Sequence, residues 1–284
     1  MVLMGTVMGD GSMNIHKRYK NARFQMKHSV KQREWFMWKT EKLKKVHTRN
    51  SIHEDNTGYS NTPCLHFLTR AALCLTMVFR IMYSSTEVKD SSGVVIGTEN
   101  VRYLQKAWLE TLDETALMAW WLDDGGRIGA GPRRGRCNTQ NFSLAENTLL
   151  KEFLWDSWGV ATTIQVCWAK TPETAKIPEA SFLDTARIAA EDANDGEFAQ
   201  DCIEPASGRV GYNKYFYLQL STNALKVLLR KIMPVIPVES MVYKAFLVYK
   251  DESFQQSWIA EMKNAMPRFS AEIDRLYDQS RQET

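Results

Sequence analysis

The pattern of hydrophobic and polar positions divides the start of the chain into a helix, a strand and a second helix. Residues 2–9 are apolar and end at the turn GDGS, which predicts a buried helix. Residues 21–29, NARFQMKHS, alternate in character and predict a strand. Ser29 and Gln32 have the spacing of a capping box, so a helix is predicted over 30–45.

The same order recurs in the second half of the chain. The predicted elements are a helix over about 113–124, a glycine-rich loop over 125–136, a strand over 137–143 (CNTQNFS) and a helix over 144–158. Ser143 and Glu146 form a second capping-box pattern at the start of the last of these helices. The recurrence predicts two related halves.

The remaining pattern predicts one more strand, one more helix and an insertion. Residues 214–221 alternate as a strand, and Asn223 is predicted to cap a helix over 224–233 that Pro234 closes. Residues 170–212 are acidic and rich in turn residues, with a short surface helix predicted over 181–192. The predicted domains are an N-terminal half with its linker over 1–105, a C-terminal half over 106–250 and a helical tail over 251–284.

Composition indicates a soluble, intracellular protein with a substantial core. The chain has 284 residues, 44% of them hydrophobic. Its longest apolar stretch, AALCLTMVF, is far shorter than the roughly 20 residues that cross a bilayer. The five cysteines form no CxxC pair and are predicted to be reduced thiols, mostly buried. The first residues lack a signal-peptide or transit-peptide pattern.

Charge is unevenly distributed along the chain. Residues 1–50 contain twelve Lys and Arg against three Asp and Glu, whereas residues 171–209 contain three against nine. A basic segment with interspersed aromatic residues suits a phosphate-lined partner, because each neutralised phosphate releases counterions. A solvated helix face would have the same composition, so charge alone leaves both interpretations open.

Two apolar runs, VLMGTVMGDG and ALMAWWLDDGG, each end in an aspartate followed by glycine. Gly5 and Gly9 are four residues apart, so they share one helix face and permit close approach of another backbone; Ala119 offers a similar small position. Packing of the two helices on these faces would bring Asp10 and Asp124 together. Two close carboxylates favour a divalent cation such as Mg²⁺, which suits two-metal cleavage of phosphodiesters.

Other features favour ordinary structural roles. A single Asp-Gly pair is common turn chemistry, and only the double occurrence favours a metal site. His47 and His53 have no Cys or His partner at zinc spacing and are interpreted as surface residues. Trp120 and Trp121 are interpreted as packing residues. The chain contains no phosphate-binding loop, dinucleotide fingerprint or Ser/His/Asp arrangement.

The sequences LMGTVMGDG and LMAWWLDDG resemble the two signature helices of single-chain LAGLIDADG homing endonucleases. The sequences CNTQNFS and IPVESMVYK resemble further elements of the intron-encoded branch of this family. The resemblance implies an α+β fold of two pseudo-symmetric αββαββα halves, with paired LAGLIDADG helices and an antiparallel β-saddle over the DNA major groove. It implies a monomer that cuts both strands of a long asymmetric site and leaves 3′ overhangs. The implied cofactor is Mg²⁺, with Mn²⁺ substituting and Ca²⁺ supporting binding without cleavage.

The resemblance also implies the metal ligands. Asp10 and Asp124 match the metal-binding aspartates, each next to last in its nonapeptide. Gly9 and Asp123, which precede them, would offer backbone carbonyls to the metal. These four residues form the predicted metal site.

The implied basic catalytic residue is Lys244, which matches the lysine that polarises solvent near the scissile phosphate. Arg102 is the predicted counterpart in the first half, in a stretch that matches the family poorly. Arginine holds phosphate but is a poor proton shuttle, because it stays charged. Lys89 and Lys106 therefore remain alternatives.

Gln140 resembles a strand glutamine near the active site, with Gln25 or His28 as possible first-half counterparts. Contact of Gln140 with a base is an equally good interpretation. The predicted DNA-contact residues of the first half are Lys17, Arg18, Lys20, Arg23, Gln25, Lys27 and His28. Those of the second half are Arg127, Arg133, Arg134, Arg136, Asn138, Lys214, Tyr215, Tyr217 and Gln219. About half are expected to contact phosphates or solvent, since most protein–DNA hydrogen bonds go to the backbone.

Two alternatives to the nuclease remain at the level of sequence. One is an RNA maturase that binds intron RNA and assists splicing; the other is a DNA-binding module with a decayed catalytic site. Retention of both aspartates favours the nuclease over the decayed module. The expected location is an organelle (mitochondrion or plastid) or the cytoplasm of a bacterium or phage-infected cell.

Overall fold

The computed structural model describes residues 1–16, 18–55, 63–90, 92–128, 134–170 and 212–282. The chain divides into two compact units, Met1–Asp123 and Asp124–Thr284. Most of the predicted insertion at 170–212, including the predicted helix over 181–192, lies outside the described residues.

The first seven helices and strands follow the order αββαββα. They are α1 (Val2–Met8), β1 (Gly11–Asn14), β2 (Arg23–Ser29), α2 (Arg33–Lys42), β3 (Ile52–Asp55), β4 (Cys64–Leu68) and α3 (Leu73–Met82). The strands form an antiparallel sheet in the order β1-β2-β4-β3. Along β2, Phe24 and Met26 are buried in the core while Arg23, Gln25 and Lys27 lie on the opposite face. This two-residue period gives the sheet one apolar and one polar face.

A hairpin and a short helix follow in the first unit. They are β5 (Tyr83–Lys89), β6 (Val95–Arg102) and α4 (Lys106–Leu109). The Asp90 carboxylate accepts hydrogen bonds from the backbone N–H groups of Ser92 and Val94, at 2.9 and 3.0 Å, and Gly93 has a φ of +83°. These groups close the hairpin turn, and only glycine adopts such a φ readily. The pattern of hydrophobic and polar positions does not predict this hairpin.

The second set of seven elements repeats the order αββαββα. They are α5 (Glu114–Asp124), β7 (Gly125–Ile128), β8 (Arg134–Cys137), α6 (Leu144–Trp158), β9 (Thr162–Lys170), β10 (Tyr212–Leu220) and α7 (Thr222–Ile232). The sheet order is β7-β8-β10-β9, the same connectivity as in the first unit. The predicted α+β class and the repeated half are therefore confirmed. A 3₁₀ segment (Glu239–Ala245) and helices α8 (Glu252–Ala265) and α9 (Ser270–Gln282) follow.

Helix α6 has the predicted bounds because its start and end are encoded locally. The Ser143 hydroxyl accepts a hydrogen bond from the Glu146 N–H, and the Glu146 carboxylate accepts one from the Ser143 N–H. Gly159 ends the helix in the left-handed region, with a φ of +67°. The second predicted capping box is confirmed.

The first predicted capping box is wrong. The Ser29 hydroxyl accepts a hydrogen bond from the Lys31 N–H, and a 3₁₀ turn (Val30–Gln32) precedes α2. The Gln32 side chain instead accepts a hydrogen bond from the His28 ring at 2.8 Å. A contact with the core thus displaces the local cap, and the helix starts at Arg33 instead of residue 30.

Three further predictions of local structure need correction. The glycine-rich segment 125–136 contributes strands β7 and β8, and of the predicted strand 137–143 only Cys137 is paired. Residues 138–142 form a turn because the buried Asn147 amide donates hydrogen bonds to three carbonyls of residues 139–143. Helix α7 is capped by the Ser221 hydroxyl, which accepts from the Ala224 N–H, and not by Asn223.

The apolar runs behave as predicted from their composition. Trp120 and Trp121 are each 1% exposed and belong to the core. In the described part of the chain, no helix combines the length and apolar character needed to cross a bilayer. Cys64 and Cys137 are buried thiols outside any disulfide, whereas the thiol of Cys74 is exposed.

Within the first unit, Gly5 lets α1 approach α5 closely. A Cβ atom at Gly5 would lie 2.1 Å from the Ala116 carbonyl oxygen, well inside van der Waals contact. The predicted role of this small residue in helix packing is confirmed.

We expect Gly5→Ala to destabilise the protein by about 1–3 kcal/mol, because the backbone of one helix must move to accommodate the methyl group. Gly97→Ala in the hairpin is the matched control, since a Cβ there meets no atom within 4 Å. Denaturant midpoints of the two variants measure the difference. Equal midpoints would contradict the close packing at Gly5.

Candidate functional site

Asp10 lies at the turn between α1 and β1. The helix ends at Met8 and the strand begins at Gly11, so the aspartate is held between two regular elements. Its side chain is 18% exposed, and its Oδ2 atom lies 3.6 Å from His28 Nδ1. The carboxylate is therefore accessible from solvent and fixed in position by the fold.

His28 is buried beneath Asp10 and is electrically neutral. The Lys39 ammonium donates a hydrogen bond to His28 Nε2 at 2.7 Å, so that nitrogen carries no proton, and Nδ1–H donates to Gln32. Burial lowers the pKa of His28, and the neighbouring Lys39 lowers it further. Its approach to Asp10 is therefore not an ion pair at neutral pH.

Asp123 and Lys39 form a fully buried ion pair in the first unit. The Lys39 ammonium donates to both Asp123 oxygens at 2.8 and 2.9 Å, and the Trp35 ring N–H donates to Oδ1 at 2.7 Å. Neither charged side chain is exposed. A Cβ at Gly9 would lie 2.6 Å from Asp123 Cβ, which explains the glycine there. No local pattern in the sequence points to Lys39, because its partner is 84 residues away.

Asp10, His28 and Asp123 place donor atoms within 4.8 Å of one another and so form a possible metal-ligating group. The Asp123 oxygens, however, already accept three hydrogen bonds, two of them from an ammonium. A cation would have to displace Lys39 to reach them. Asp10, with an oxygen donor and solvent exposure, fits a hard cation such as Mg²⁺ better.

In the second unit, Asp124, Cys137 and Lys244 lie near one another. The Lys244 ammonium is buried and donates to the Gly125 carbonyl, one residue after Asp124, at 2.5 Å. Burial raises the pKa of the Cys137 thiol, the Asp124 carboxylate raises it further, and Lys244 opposes this. The thiol stays neutral beside one acidic and one basic group.

Arg102 occupies a comparable place in the first unit. Its guanidinium donates to the carbonyls of Val7 and Met8, the latter at 2.9 Å, at the end of α1. The alternatives, Lys89 and Lys106, lie on the surface near Glu87 and Glu110. Of the three residues, Arg102 is the one that contacts the end of α1.

The comparison with family models matches residues 1–172 to the LAGLIDADG DNA endonuclease family. This match covers more than half of the chain. The chain belongs to the LAGLIDADG DNA endonuclease family. The resemblance seen in the two nonapeptides is thereby confirmed.

Curated relatives match part of this chain. The protein is 27% identical over 175 residues to Protein RecA of Mycolicibacterium chitae, which covers 56% of this chain and 36% of that protein. It is 43% identical over 72 residues to the intron-encoded endonuclease ai4 of Dictyostelium discoideum, covering 25% of this chain and 43% of that protein. The chain thus spans less than half the length of the curated relatives it matches.

A solved structure shares the fold. The homing endonuclease I-WcaI, bound to its DNA recognition sequence, matches with a TM-score of 0.57 and 12% identity. The match covers 87% of this chain and 85% of that chain. At this identity the likeness shows a LAGLIDADG fold.

In this LAGLIDADG chain, three predicted DNA-contact residues of the first unit share the polar sheet face. They are Arg23, Gln25 and Lys27 on β2. Arg18 and Lys20 lie in the connection between β1 and β2 and not in a strand, and Lys17 is outside the described residues. His28 was predicted as a DNA contact, but the two-residue period places it on the core face, 3% exposed.

On β10 of the second unit, Tyr215, Tyr217 and Gln219 share one face, opposite the buried Leu218 and Leu220. The prediction grouped Lys214 with them, but the strand period places it on the face of Phe216, 5.6 Å from that ring centroid. Tyr217 lies 6.0 Å from the Arg136 guanidinium carbon, so the polar face extends to β8.

The other predicted residues of the second unit lie in different positions. Arg134 and Arg136 share a face of β8, and the Arg127 guanidinium donates to the Phe246 carbonyl at 2.7 Å. Asn138 N–H donates to the Asp124 carbonyl at 3.0 Å. Gln140 lies in a turn and not in the predicted strand, and Arg133 is outside the described residues.

Proposed function

We propose that the protein is a site-specific homing endonuclease that hydrolyses both strands of double-stranded DNA. The observation that carries the proposal is the family match over residues 1–172, which include both signature aspartates. We further propose a monomer that uses Mg²⁺, cuts a long asymmetric target and leaves 3′ overhangs. Mn²⁺ should replace Mg²⁺, and Ca²⁺ should permit binding alone.

In this proposal, Asp10 and Asp124 each supply an anionic oxygen ligand, supported by their positions at the ends of α1 and α5. A cation bound at either aspartate would provide Lewis-acid stabilisation of the phosphate and a more acidic bound water. Lys244 and Arg102 would keep positive charge near the scissile phosphates, as their contacts at the ends of the two signature helices support.

The polar sheet faces support recognition of DNA. Arg23, Gln25 and Lys27 in the first unit, and Arg136 and Gln219 in the second, combine phosphate-binding cations with amides that read base edges. The aromatic rings of Tyr215 and Tyr217 add apolar contact area. The compartment proposed for this activity is one that contains the target genome, either organellar or bacterial.

Selection from a randomised library of double-stranded DNA tests the function. The purified protein is incubated with the library and Mg²⁺, Mn²⁺, Ca²⁺ or a chelator, and the cut ends are sequenced. We expect one long asymmetric site, cut on both strands with 3′ overhangs, in Mg²⁺ and Mn²⁺ only. Tight DNA binding in Ca²⁺ without cutting in Mg²⁺ would indicate a decayed site. Absence of both would contradict the proposal and direct the test to structured intron RNA.

A further inference from the structure

The polar face of the first unit carries two histidines and an aspartate that its DNA-contact residues do not account for. His53 and Asp55 lie two positions apart on β3, so they point to the same side of the sheet. His66 is directly opposite His53 on β4. Sequence analysis interpreted His53 as a surface residue without a partner, because its partner is on a different strand.

One ring nitrogen of His53 and one of His66 are in direct contact. His66 Nδ1 lies 3.0 Å from His53 Nε2, and the ring centroids are 4.7 Å apart with the planes inclined at 70°. Two nitrogens at about 2.0–2.1 Å from one tetrahedral Zn²⁺ are separated by about 3.3 Å. The observed separation is that of a hydrogen bond between the two rings, so a shared ion would take the place of the bridging proton, which moves to the other nitrogen of its ring, as the two nitrogens separate by a few tenths of an ångström.

The third donor is the Asp55 carboxylate. Its oxygen and the two ring nitrogens all lie within 4.8 Å of one another. A common coordination sphere would require the Asp55 oxygen to move closer to both ring nitrogens. The three donors have graded exposure, with His53 exposed and His66 and Asp55 half-buried, so an ion can enter from solvent.

We propose that His53, Asp55 and His66 bind a borderline divalent transition metal, with Zn²⁺ as the prime candidate. Imidazole nitrogen favours Zn²⁺, Ni²⁺, Co²⁺ and Cu²⁺ over Mg²⁺, which requires oxygen ligands. The site is thus chemically distinct from the proposed catalytic carboxylates. Because β3 is an edge strand that pairs with β4, the bound ion would link the edge of the sheet to its interior.

Lys27 modulates this site. Its ammonium lies 3.1 Å from the Asp55 carboxylate, so it competes with the metal for that ligand and repels a cation. Removal of the charge should strengthen metal binding, whereas removal of a histidine should weaken it. The two opposite effects distinguish this site from non-specific binding to surface histidines.

The test titrates the metal-free full-length protein with Zn²⁺ and, for its visible absorption bands, with Co²⁺, in excess Mg²⁺ and without DNA. We expect one equivalent to bind and to raise the Tm. His53→Asn and His66→Asn should each weaken binding by at least about ten-fold, while Lys27→Gln strengthens it. His16→Asn, an exposed histidine of the same unit outside the cluster, is the matched control and should bind like the parent protein.

Asp10→Asn shows which of the two possible groups binds the added Zn²⁺, this cluster or the group of Asp10, His28 and Asp123. Unchanged Zn²⁺ binding in Asp10→Asn supports the strand site. Loss of binding in Asp10→Asn with retention in His66→Asn would overturn the proposal, as would equal binding by all the histidine variants. None of these readouts depends on DNA cleavage, so the result is independent of the proposed nuclease function.

Discussion

Asp124→Asn is expected to abolish cleavage of the cognate DNA while leaving DNA binding in Ca²⁺ largely intact. Asparagine preserves the shape of the side chain but removes the charge that attracts the cation. Loss of metal-assisted stabilisation is worth several kcal/mol, and about 4 kcal/mol corresponds to a rate reduction of about 10³-fold. The measurement is single-turnover cutting of the selected target, with Asp10→Asn expected to behave in the same way.

Asp278→Asn on the exposed face of α9 is the matched control and should cut at the rate of the parent protein. Full cutting by Asp124→Asn would refute the assignment of the catalytic carboxylate. Asp123→Asn tests the alternative ligand: if Asp123→Asn and Asp10→Asn stop cutting in proteins that remain folded while Asp124→Asn still cuts, the metal is held by the group of Asp10, His28 and Asp123.

Lys39→Met is expected to destabilise the protein by roughly 3–5 kcal/mol. The substitution leaves the Asp123 carboxylate buried, with a hydrogen bond from the Trp35 N–H but without its cationic partner, and an uncompensated buried charge is costly. Since domains of this kind have total stabilities of about 5–15 kcal/mol, the effect is large. Urea unfolding monitored by tryptophan fluorescence measures it.

Lys42→Met, three residues further along α2 and exposed, is the matched control and should change stability little. The double variant Lys39→Met with Asp123→Asn should recover much of the loss, because no unpaired charge remains. Equal free energies of unfolding for Lys39→Met and Lys42→Met would show that the ion pair makes no net contribution to stability. A double variant no more stable than Lys39→Met alone would show that packing, and not charge, determines the cost.

The ion pair also explains how the two adjacent aspartates of LDDG acquire different roles. The Lys39 ammonium neutralises the Asp123 carboxylate in the core of the first unit, and the Trp35 ring N–H donates a hydrogen bond to it. Asp124, by contrast, lies beside Cys137 and Lys244 in the second unit. The sequence resemblance assigned only a backbone carbonyl to Asp123. Its side chain instead connects α2 to α5 inside the first unit.

The sequence by itself determined the features that depend on near neighbours. Helix α6 was predicted with its observed bounds, because the Ser143–Glu146 cap and Gly159 act within a few residues of its ends. The small residue Gly5 was identified from helix periodicity, and the paired nonapeptides identified the LAGLIDADG family. The alternation of β2 and β10 also separated most core residues from polar-face residues.

Only the tertiary structure decided the features that depend on distant partners. The sheet edge brings His53 opposite His66, the core joins Lys39 to Asp123, and Arg102 reaches the end of α1. Such contacts also replace the cap predicted at Ser29, and they bury His28, which the sequence predicted as a DNA contact, in the core. Hydrogen bonds and ion pairs between residues far apart in the chain have no periodic signature, so these positions could be assigned only after the strands and helices had been placed in three dimensions.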